Sequence, residues 1–282
     1  MAEAGQTTDA AGRAEGRAPA TTTFGTPFDL NLIGLRTLYL KEVRRFLKVP
    51  GQTLAAPVIT TLMFLLIFSL ALGRAGREVG GVPFLQFLAP GLVMMAIIQN
   101  AFANTSSSIL IGKIQGNIVD ILMPPLRPGE LTFGLVAGGV TRGLVVAVVV
   151  ALAMIPVVSL DLAHPTLVVF HALGGSLMLA LLGLLGGLWA EKFDQMAAVT
   201  NFLITPLSFL SGTFYSIAQL PPVFQAVAYV NPFFYLIDGI RMGFIGHADG
   251  SIVIGILVVT LVNLGLWLLA LRLIARGWRL KS

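Results

Sequence analysis

The sequence contains no cysteine, and charged side chains make up only 11% of its 282 residues. Without thiols the chain can form neither a disulfide framework nor a thiolate metal centre. A soluble domain of this length would carry about 25% charged residues, so the shortage of charge argues against an ordinary soluble fold. No Asp or Glu lies in the middle of any long apolar run, which disfavours a proton-coupled or sodium-coupled carrier.

Motifs for catalysis and nucleotide binding are missing as well. The one Gly-Lys pair, Gly112-Lys113, lacks the preceding glycine and the following hydroxyl of a phosphate-binding loop. The sequence shows no carboxylate pair, no nucleophile beside a base and no cluster of metal ligands. We therefore predict no catalytic residue, no cofactor and no metal on this chain. If the protein is a pump, its energy comes from another chain.

Apolar residues are abundant instead: they form 56% of the chain, and the mean hydropathy is +0.89. They fall into runs of about 20 residues, the length that crosses a hydrocarbon core of about 30 Å. These runs predict an all-α integral membrane protein with six transmembrane helices. We place the spans near 54–73, 85–106, 132–157, 166–189, 196–215 and 252–274. With net charge +5 and pI 9.9, the basic excess indicates topology and contact with anionic membrane lipid, not nucleic acid.

The distribution of basic residues predicts the orientation of the spans. Of the 18 Lys and Arg residues, only Arg74, Arg77 and Arg241 fall outside when both termini are cytoplasmic. The opposite orientation places the two basic ends outside, against the positive-inside rule. We therefore expect a multi-pass protein with both termini in the cytoplasm.

Two segments precede the first span. Residues 1–27 are rich in Ala, Gly and Thr and are predicted to be a disordered cytoplasmic tail; the membrane domain is expected at 28–282. An amphipathic helix is predicted at 29–48, lying along the inner membrane surface; the alternative is a solvated linker helix. Its apolar stripe is Leu35, Leu38, Val43, Phe46 and Leu47, opposite the basic residues Lys41, Arg44, Arg45 and Lys48.

Two connections are longer than the others. The inner one, at 113–131, combines a short amphipathic stretch with closely spaced prolines, which fix φ and remove backbone donors. The outer one, at 216–250, is too apolar for a loop in water and is broken at Pro221, Pro222, Asn231 and Pro232. It predicts two short re-entrant helices that dip into the outer leaflet and pack against protein or a wet cavity.

Polar residues inside the spans have two interpretations. Gln99, Asn100 and Asn104 on the second span, with Asn201 on the fifth, either line a translocation path or make hydrogen bonds between helices. Arg142, in the inner part of the third span, is expected to extend its charge to the membrane interface.

The order and spacing of several motifs over residues 30 to 280 resemble one family. They are "KEVRRFLKVPGQTLAAP", "FLAPGLVMM", "GNIVDILMPPLRPGEL", "PLSFLSGTFYSIAQLPP" and "NPFFYLIDGIR" followed by "GFIG". This arrangement is similar to permease subunits of type-2 ATP-binding-cassette exporters, near the bacterial inner-membrane permeases of the Yad and nodulation kinds. The resemblance implies two permease copies, hence a homodimer, driven by a cytoplasmic ATPase that binds ATP and magnesium.

The resemblance also assigns roles to the two long connections. The inner one is similar to the coupling helix that docks into the ATPase; the alternative is an ordinary loop in which prolines stop helices. Its expected coupling residues are Ile118, Asp120, Ile121, Leu122, Pro124 and Pro125, with the three aliphatic side chains in apolar docking contacts and Asp120 pairing with a basic residue.

The outer connection is expected to close the outer end of the path. Asn231 and Pro232 have the residue types of a helix cap and a first helical position. Tyr235, Asp238 and Arg241 follow at intervals of three residues on one face. The favoured interpretation is an Asp238–Arg241 clamp within the cap, and the rival is contact between Arg241 and substrate.

Together these expectations describe a bacterial inner-membrane permease that exports an amphipathic, lipid-linked or glycan-type substrate. Two alternatives from other classes remain open at this point: an ion-coupled secondary transporter and a membrane scaffold that transports nothing.

Overall fold

The computed structural model describes residues 30–72, 78–79 and 81–279. The predicted tail at 1–27 lies outside these residues, as do Arg74 and Arg77. The described chain is almost entirely helical, in agreement with the predicted fold class. The helices are α1 (Leu32–Leu47), α2 (Ala56–Leu72), α3 (Phe84–Ile114), α4 (Ile118–Leu122), α5 (Pro128–Met154), α6 (Pro165–Trp189), α7 (Phe193–Val199), α8 (Thr205–Leu210), α9 (Pro222–Val230), α10 (Pro232–Ile245) and α11 (Ile252–Ala275).

Shorter elements complete the chain. A π-helical turn (Gly51–Ala55) leads into α2, another (Thr200–Ile204) joins α7 to α8, and a 3-10 turn (Ile217–Gln219) precedes α9. Strand β1 (Glu78–Val79) pairs antiparallel with β2 (Val82–Pro83) just before α3.

Five helices among the described residues are long and apolar enough to cross a membrane: α2 with its π-helical turn, α3, α5, α6 and α11. The number becomes six if α9 and α10, which are bent by 91° at Asn231, count as one span. The fifth span, predicted at 196–215, falls on the run of α7, the second π-helical turn and α8 over 193–210, which is not one of these membrane-crossing helices. Its polar residues, Asp194, Gln195 and Asn201, make it less apolar than the other spans.

Helix α3 forms the centre of the bundle, and α2 and α11 lie at its periphery. The apolar window of α3 is 83% buried, against 11% for α2 and 17% for α11. Helices α5 and α6 approach α3 closely through Gly139 and Gly183, where an added Cβ would meet Thr105. The fully buried Thr105 hydroxyl donates to the Ala180 carbonyl across 2.7 Å. Glycines at helix contacts let membrane-spanning helices pack closely, as these two do.

The predicted amphipathic helix is α1, and its apolar side packs on α5. Leu38 and Phe46 are buried, whereas Lys41, Arg44 and Lys48 are exposed. Asn31 caps the helix by accepting from the Gly34 amide at 2.9 Å. The apolar stripe is therefore buried only in part, since Leu47 is 47% exposed, and the three basic side chains lie on the exposed side of the helix.

The starts of α1 and α5 are joined by one carboxylate. Glu130 accepts from the Asn31 amide and from the Arg127 amide, each at 2.8 Å. Arg127 precedes α5 and Asn31 precedes α1, so Glu130 satisfies amides at two helix ends that have no intrahelical partner. We call this region, with α4 and the end of α3, the α4 end of the bundle; the opposite end carries α9.

Candidate functional site

A polar cavity of about 440 Å³ lies between the first half of α2, the middle of α3 and the second π-helical turn. Three of the predicted path residues, Gln99, Asn100 and Asn201, line it together. Thr205, close to Asn201 in the sequence, also lines it, and Gln52, Thr60, Thr61 and Thr200 add polar groups that were not expected from the sequence. In the sequence, the adjacent Thr60 and Thr61 inside an otherwise apolar span were the feature that could have indicated this polar wall. The structure therefore brings amides and hydroxyls from five elements, namely the two π-helical turns, α2, α3 and α8, around one space.

Asn104, the fourth predicted path residue, does not line this cavity. It is fully buried one turn further along α3, near Gly138 of α5, and neither polar atom of its side chain has a hydrogen-bond partner among the described residues. The prediction placed it on the path because the amide types at 100 and 104 look alike in sequence. Asn104 follows Asn100 by four residues, or 1.1 helical turns. At that point α5 comes close to α3 and covers the side chain of Asn104.

Arg142 was expected to reach the membrane interface, and this expectation is wrong. Its Nη2 donates to the Asn100 Oδ1 at 3.0 Å, so the guanidinium turns into the bundle toward α3. Its Nε is buried without a hydrogen-bond partner in the described part of the chain. The acceptor on α3 compensates part of the cost of keeping this charge within the bundle.

A second cavity, of about 660 Å³, lies between α1, α5, α6 and α11. Its wall is mostly apolar, with side chains such as Phe133, Phe170 and Trp267, and it contains none of the predicted path residues. Although it is the larger of the two, it offers few groups to orient a polar cargo. The 440 Å³ cavity is therefore the better candidate for a translocation path.

A buried ionic network that the sequence analysis missed fixes α1 to α3. Glu42 is fully buried; it accepts from the Ser108 hydroxyl at 2.7 Å and pairs with Arg45 at 3.0 Å. Arg45 also donates to the Asn104 carbonyl at 2.6 Å and to the Ser107 hydroxyl at 3.0 Å. Arg45 was assigned to the exposed basic face, but it is half-buried because it accompanies Glu42 inward. The sequence contained one indication of this network, because Glu42 precedes Arg45 by three residues, a spacing at which an acid and a base meet on a helix.

The predicted coupling segment is helical at α4, but its aliphatic residues differ from the expected arrangement. Ile118 and Ile121 are 6% and 5% exposed, and they pack within this chain against Gly112 of α3. They cannot supply docking contacts to a partner. A single amphipathic turn does not reveal whether its apolar side faces its own chain or another one.

The surface that α4 presents is made by other residues. Val119 is 53% exposed and Met123 is 75% exposed, and Asp120, Pro124 and Pro125 are exposed as well. The side chain of Leu122 lies outside the described residues. Asp120 therefore remains available for a partner, with Val119 and Met123 in the apolar role that was assigned to the two isoleucines.

Lys113 connects the α4 end to the end of α6. Its Nζ donates to the carbonyls of Gly187, Leu188 and Ala190 at 3.4, 2.8 and 2.6 Å. These carbonyls belong to the last turn of α6 and the residue after it, where acceptors have no intrahelical donor. A cation at a helix C-terminus is also favoured by the helix dipole, so α3 and α6 are held together at this end.

At the opposite end, Asn231 caps α10 as predicted. Its Oδ1 accepts from the Phe233 amide at 3.0 Å, and Pro232 occupies the first helical position. Its Nδ2 donates to the Leu207 carbonyl and to the Ser211 hydroxyl at 2.9 and 2.7 Å. One amide side chain therefore starts α10 and also anchors it to the end of α8.

Asp238 and Arg241 do not form the direct pair that their spacing suggested. Asp238 accepts from the Asp249 and Gly250 amides at 2.8 and 3.0 Å. Arg241 is 1% exposed; it donates to the Gly212 carbonyl at 2.6 Å, and its guanidinium lies 3.8 Å from the centre of the Phe87 ring. Backbone groups without helical partners attract each side chain away from the other.

Both residues nevertheless hold segments together around α10. Asp238 fixes the turn at 249–250, and the side chain of Asp249 accepts from the Ser216 hydroxyl and the Ile217 amide at 2.7 and 2.8 Å. Tyr235 donates to the Tyr229 carbonyl at 2.9 Å, which closes the corner between α9 and α10. The segment predicted to form the outer cap is therefore stabilised mainly by hydrogen bonds between side chains and backbone groups, and not by a direct Asp238–Arg241 pair.

The fold and the cavity define a class of protein: a helical membrane bundle with a polar cavity among apolar helices and a short exposed helix, α4, at one end. Comparison of the sequence with known proteins gives the family. Residues 34–245 match the family described as "ABC-2 type transporter". The chain belongs to this family of transporter permeases.

Individual relatives agree with this assignment. The chain is 37% identical over 252 residues to "Inner membrane transport permease YadH" of Escherichia coli (strain K12), covering 89% of this chain and 98% of that protein. It is 32% identical over 193 residues to "Nodulation protein J" of Rhizobium leguminosarum bv. trifolii, covering 66% of this chain and 71% of the relative. The chain is thus a multi-pass transport permease and not itself an enzyme.

Proposed function

We propose that this chain is the permease of an ATP-driven exporter and that a separate subunit hydrolyses the ATP, binding ATP and magnesium. Its cargo is an amphipathic, lipid-linked or glycan-type molecule that leaves the cytoplasm or the inner leaflet. The protein lies in the bacterial inner membrane with both termini in the cytoplasm, so that the α4 end and the basic face of α1 meet the cytoplasm and anionic lipid.

The 440 Å³ polar cavity carries this proposal. Amides and hydroxyls at the depth of membrane-spanning helices require protein or water around them, because lipid cannot satisfy them. The neighbouring surfaces of α2 and the second π-helical turn expose large apolar side chains, among them Ile59, Met63 and Phe202. A second copy of the chain on this side would cover the cavity and complete a path between two permeases.

Crosslinking tests the homodimer directly, because the chain has no cysteine of its own. Phe202→Cys places a thiol on an 83% exposed position beside the cavity. Leu261→Cys, on a 64% exposed position of α11, is the matched control. Crosslinked dimers should form in membranes from the first variant and not from the second. Equal yields from both positions, or none from Phe202→Cys, would contradict the proposed interface.

Coupling to the ATPase is proposed at α4. Val119, Asp120 and Met123 form its exposed side, and the prolines at 124, 125 and 128 stiffen the return into α5. A stiff link transmits the movement of a docked subunit to α3 and α5. The Glu130 contact with Asn31 would carry the same movement to α1.

The energy source separates this proposal from its alternatives. The permease, tagged and purified from its native membrane, should bring down an ATPase, and vesicles containing the complex should transport only with hydrolysable ATP. A protonophore that stops transport while ATP stays high would identify a secondary transporter. Failure to retain any ATPase, with no transport under either condition, would favour a scaffold.

A further inference from the structure

Arg142 places a positive charge beside the polar cavity, well away from either end of α5. It lies near the middle of the helix (Pro128–Met154), and its Nη2 hydrogen bonds to Asn100, a cavity-lining residue. Ionisable side chains within membrane spans are costly, and they usually mark a substrate or ion pathway.

The charge of Arg142 is not balanced by a carboxylate in the part of the chain that the structure describes. The nearby Arg45 is paired with Glu42 at 3.0 Å, and the lining of the cavity contains neither Asp nor Glu. Glu42 neutralises Arg45, so among the described residues Arg142 remains as one uncompensated positive charge next to the polar cavity. In a low-dielectric wall, the field of such a charge reaches into the cavity with little screening.

Asn100 faces the cavity with a hydrogen-bond donor because of Arg142. The Arg142 guanidinium donates a hydrogen bond to the Oδ1 of Asn100 at 3.0 Å, and the Nδ2 of Asn100 donates to the Ala96 carbonyl at 3.0 Å. An amide nitrogen carries two N–H groups, so one N–H of Nδ2 remains for a ligand. Donation by Arg142 also polarises this amide, which makes the remaining N–H a stronger donor to an anion.

The rest of the cavity suits an amphiphile. Phe64, Leu92 and Met95 provide an apolar wall next to the amides and hydroxyls. A headgroup would meet the polar side near Asn100, and an acyl or alkyl chain would follow these three side chains. The largest part of such a ligand would then be buried against apolar atoms, as in most small-molecule sites.

We propose that Arg142 and Asn100 form the subsite for the anionic group of the transported molecule, which is an amphiphile bearing a phosphate or a carboxylate. Asn100 contacts the anion, and Arg142 acts through Asn100 as a positioning residue and as the source of positive potential. This inference rests on the proposed function, since it takes the cavity as the transport path.

Binding to the permease alone tests this assignment without the ATPase. The full-length chain carrying Asn201→Cys, its single cysteine, is labelled with bimane and placed in phosphatidylcholine nanodiscs. It is titrated with dodecyl phosphate, with dodecylphosphocholine, and with inorganic phosphate. A unit charge acting over about 8 Å at an effective dielectric of about 20 predicts roughly tenfold or more preference for dodecyl phosphate over the zwitterion. Inorganic phosphate, which has no chain, should not compete at millimolar concentration.

Three variants identify the source of the preference. Arg142→Gln keeps a donor for Asn100 without the charge and should abolish the preference, whereas Arg142→Lys should retain most of it. Asn100→Asp supplies a carboxylate that neutralises Arg142 in place, so it should abolish the preference even if Arg142→Gln fails to fold. Arg272→Gln, on an exposed residue at the end of α11, is the control for lost charge and should leave the preference intact.

Several results would overturn the assignment: no preference in the wild-type chain, an intact preference in Arg142→Gln or Asn100→Asp, or equal binding of inorganic phosphate. None of these results bears on whether an ATPase copurifies, so the exporter proposal would stand or fall separately. Conversely, a charge-dependent preference without any associated ATPase would leave the anion subsite in place and refute the energy source.

Discussion

The replacement Gly239→Ala probes how firmly α10 is fixed to the bundle. A Cβ at Gly239 would overlap the ring of His171 on α6. That ring is fully buried, and its Nδ1 lies 2.9 Å from the Leu167 carbonyl. Phe170 packs on it edge to face, with ring centres 5.0 Å apart. The histidine therefore has little room to move away, and α6 and α10 would have to separate.

The expected size follows from two opposing contributions. Alanine gains about 1 kcal/mol over glycine in helix propensity, whereas overpacking a close contact costs about 1–3 kcal/mol and occasionally more. Because the overlap is with a confined ring, we expect the upper end, for a net loss near 2 kcal/mol. Gly265→Ala in α11 meets no atom within 4 Å, so it should cause no loss and is the matched control.

Thermal unfolding of the purified protein, followed by the fluorescence of its 3 tryptophans, measures both variants. In a His171→Ala background the added methyl fills vacated space, so Gly239→Ala should become neutral or stabilising there. Equal stability of Gly239→Ala and Gly265→Ala would refute the close contact between α6 and α10. The same loss in the His171→Ala background would show that the histidine is not its cause.

Two further predictions use the same assay. Lys113→Met should lower the free energy of unfolding by about 2 kcal/mol, because three carbonyls at the end of α6 lose a charged donor; Lys192→Met, on an exposed residue, should have little effect. Asn231→Ala should cost about 1–2 kcal/mol, because α10 loses its cap and the Leu207 carbonyl and Ser211 hydroxyl lose the donor Nδ2. Asn117→Ala, which precedes α4 without capping it, is the control, and equal losses in a variant and its control would contradict the assigned contacts.

Features set by local chemistry could be predicted from the sequence. The stripe of α1, the cap and proline that start α10, and the bend at Asn231 all appear in the structure. Each depends on residues within a few positions of one another, so the chain itself carries the information. The cavity-lining residues Gln99, Asn100 and Asn201 were also recognisable, because amide side chains are costly inside a membrane span.

Features set by contacts between distant segments could not be predicted in this way. The burial of Glu42 depends on the approach that Gly138 allows to α5, and the inward turn of Arg142 depends on an acceptor that α3 supplies. Asp238 and Arg241 looked like a pair because sequence shows helical spacing but not the backbone groups of another segment. Ile118 was assigned to a partner surface for the same reason.

The central claim, that a docked ATPase drives this permease through α4, is tested most directly by one pair of variants. Val119→Asp and Leu162→Asp each add a carboxylate at an aliphatic position, 53% and 57% exposed, on the connections at opposite ends of α5. The measurement is ATP-dependent transport by the reconstituted complex. A desolvated charge at a docking surface costs more than the ~1.4 kcal/mol that corresponds to tenfold weaker association. We therefore predict that Val119→Asp loses at least about tenfold of the transport rate while Leu162→Asp stays near wild type. Equal transport by the two variants would contradict the claim.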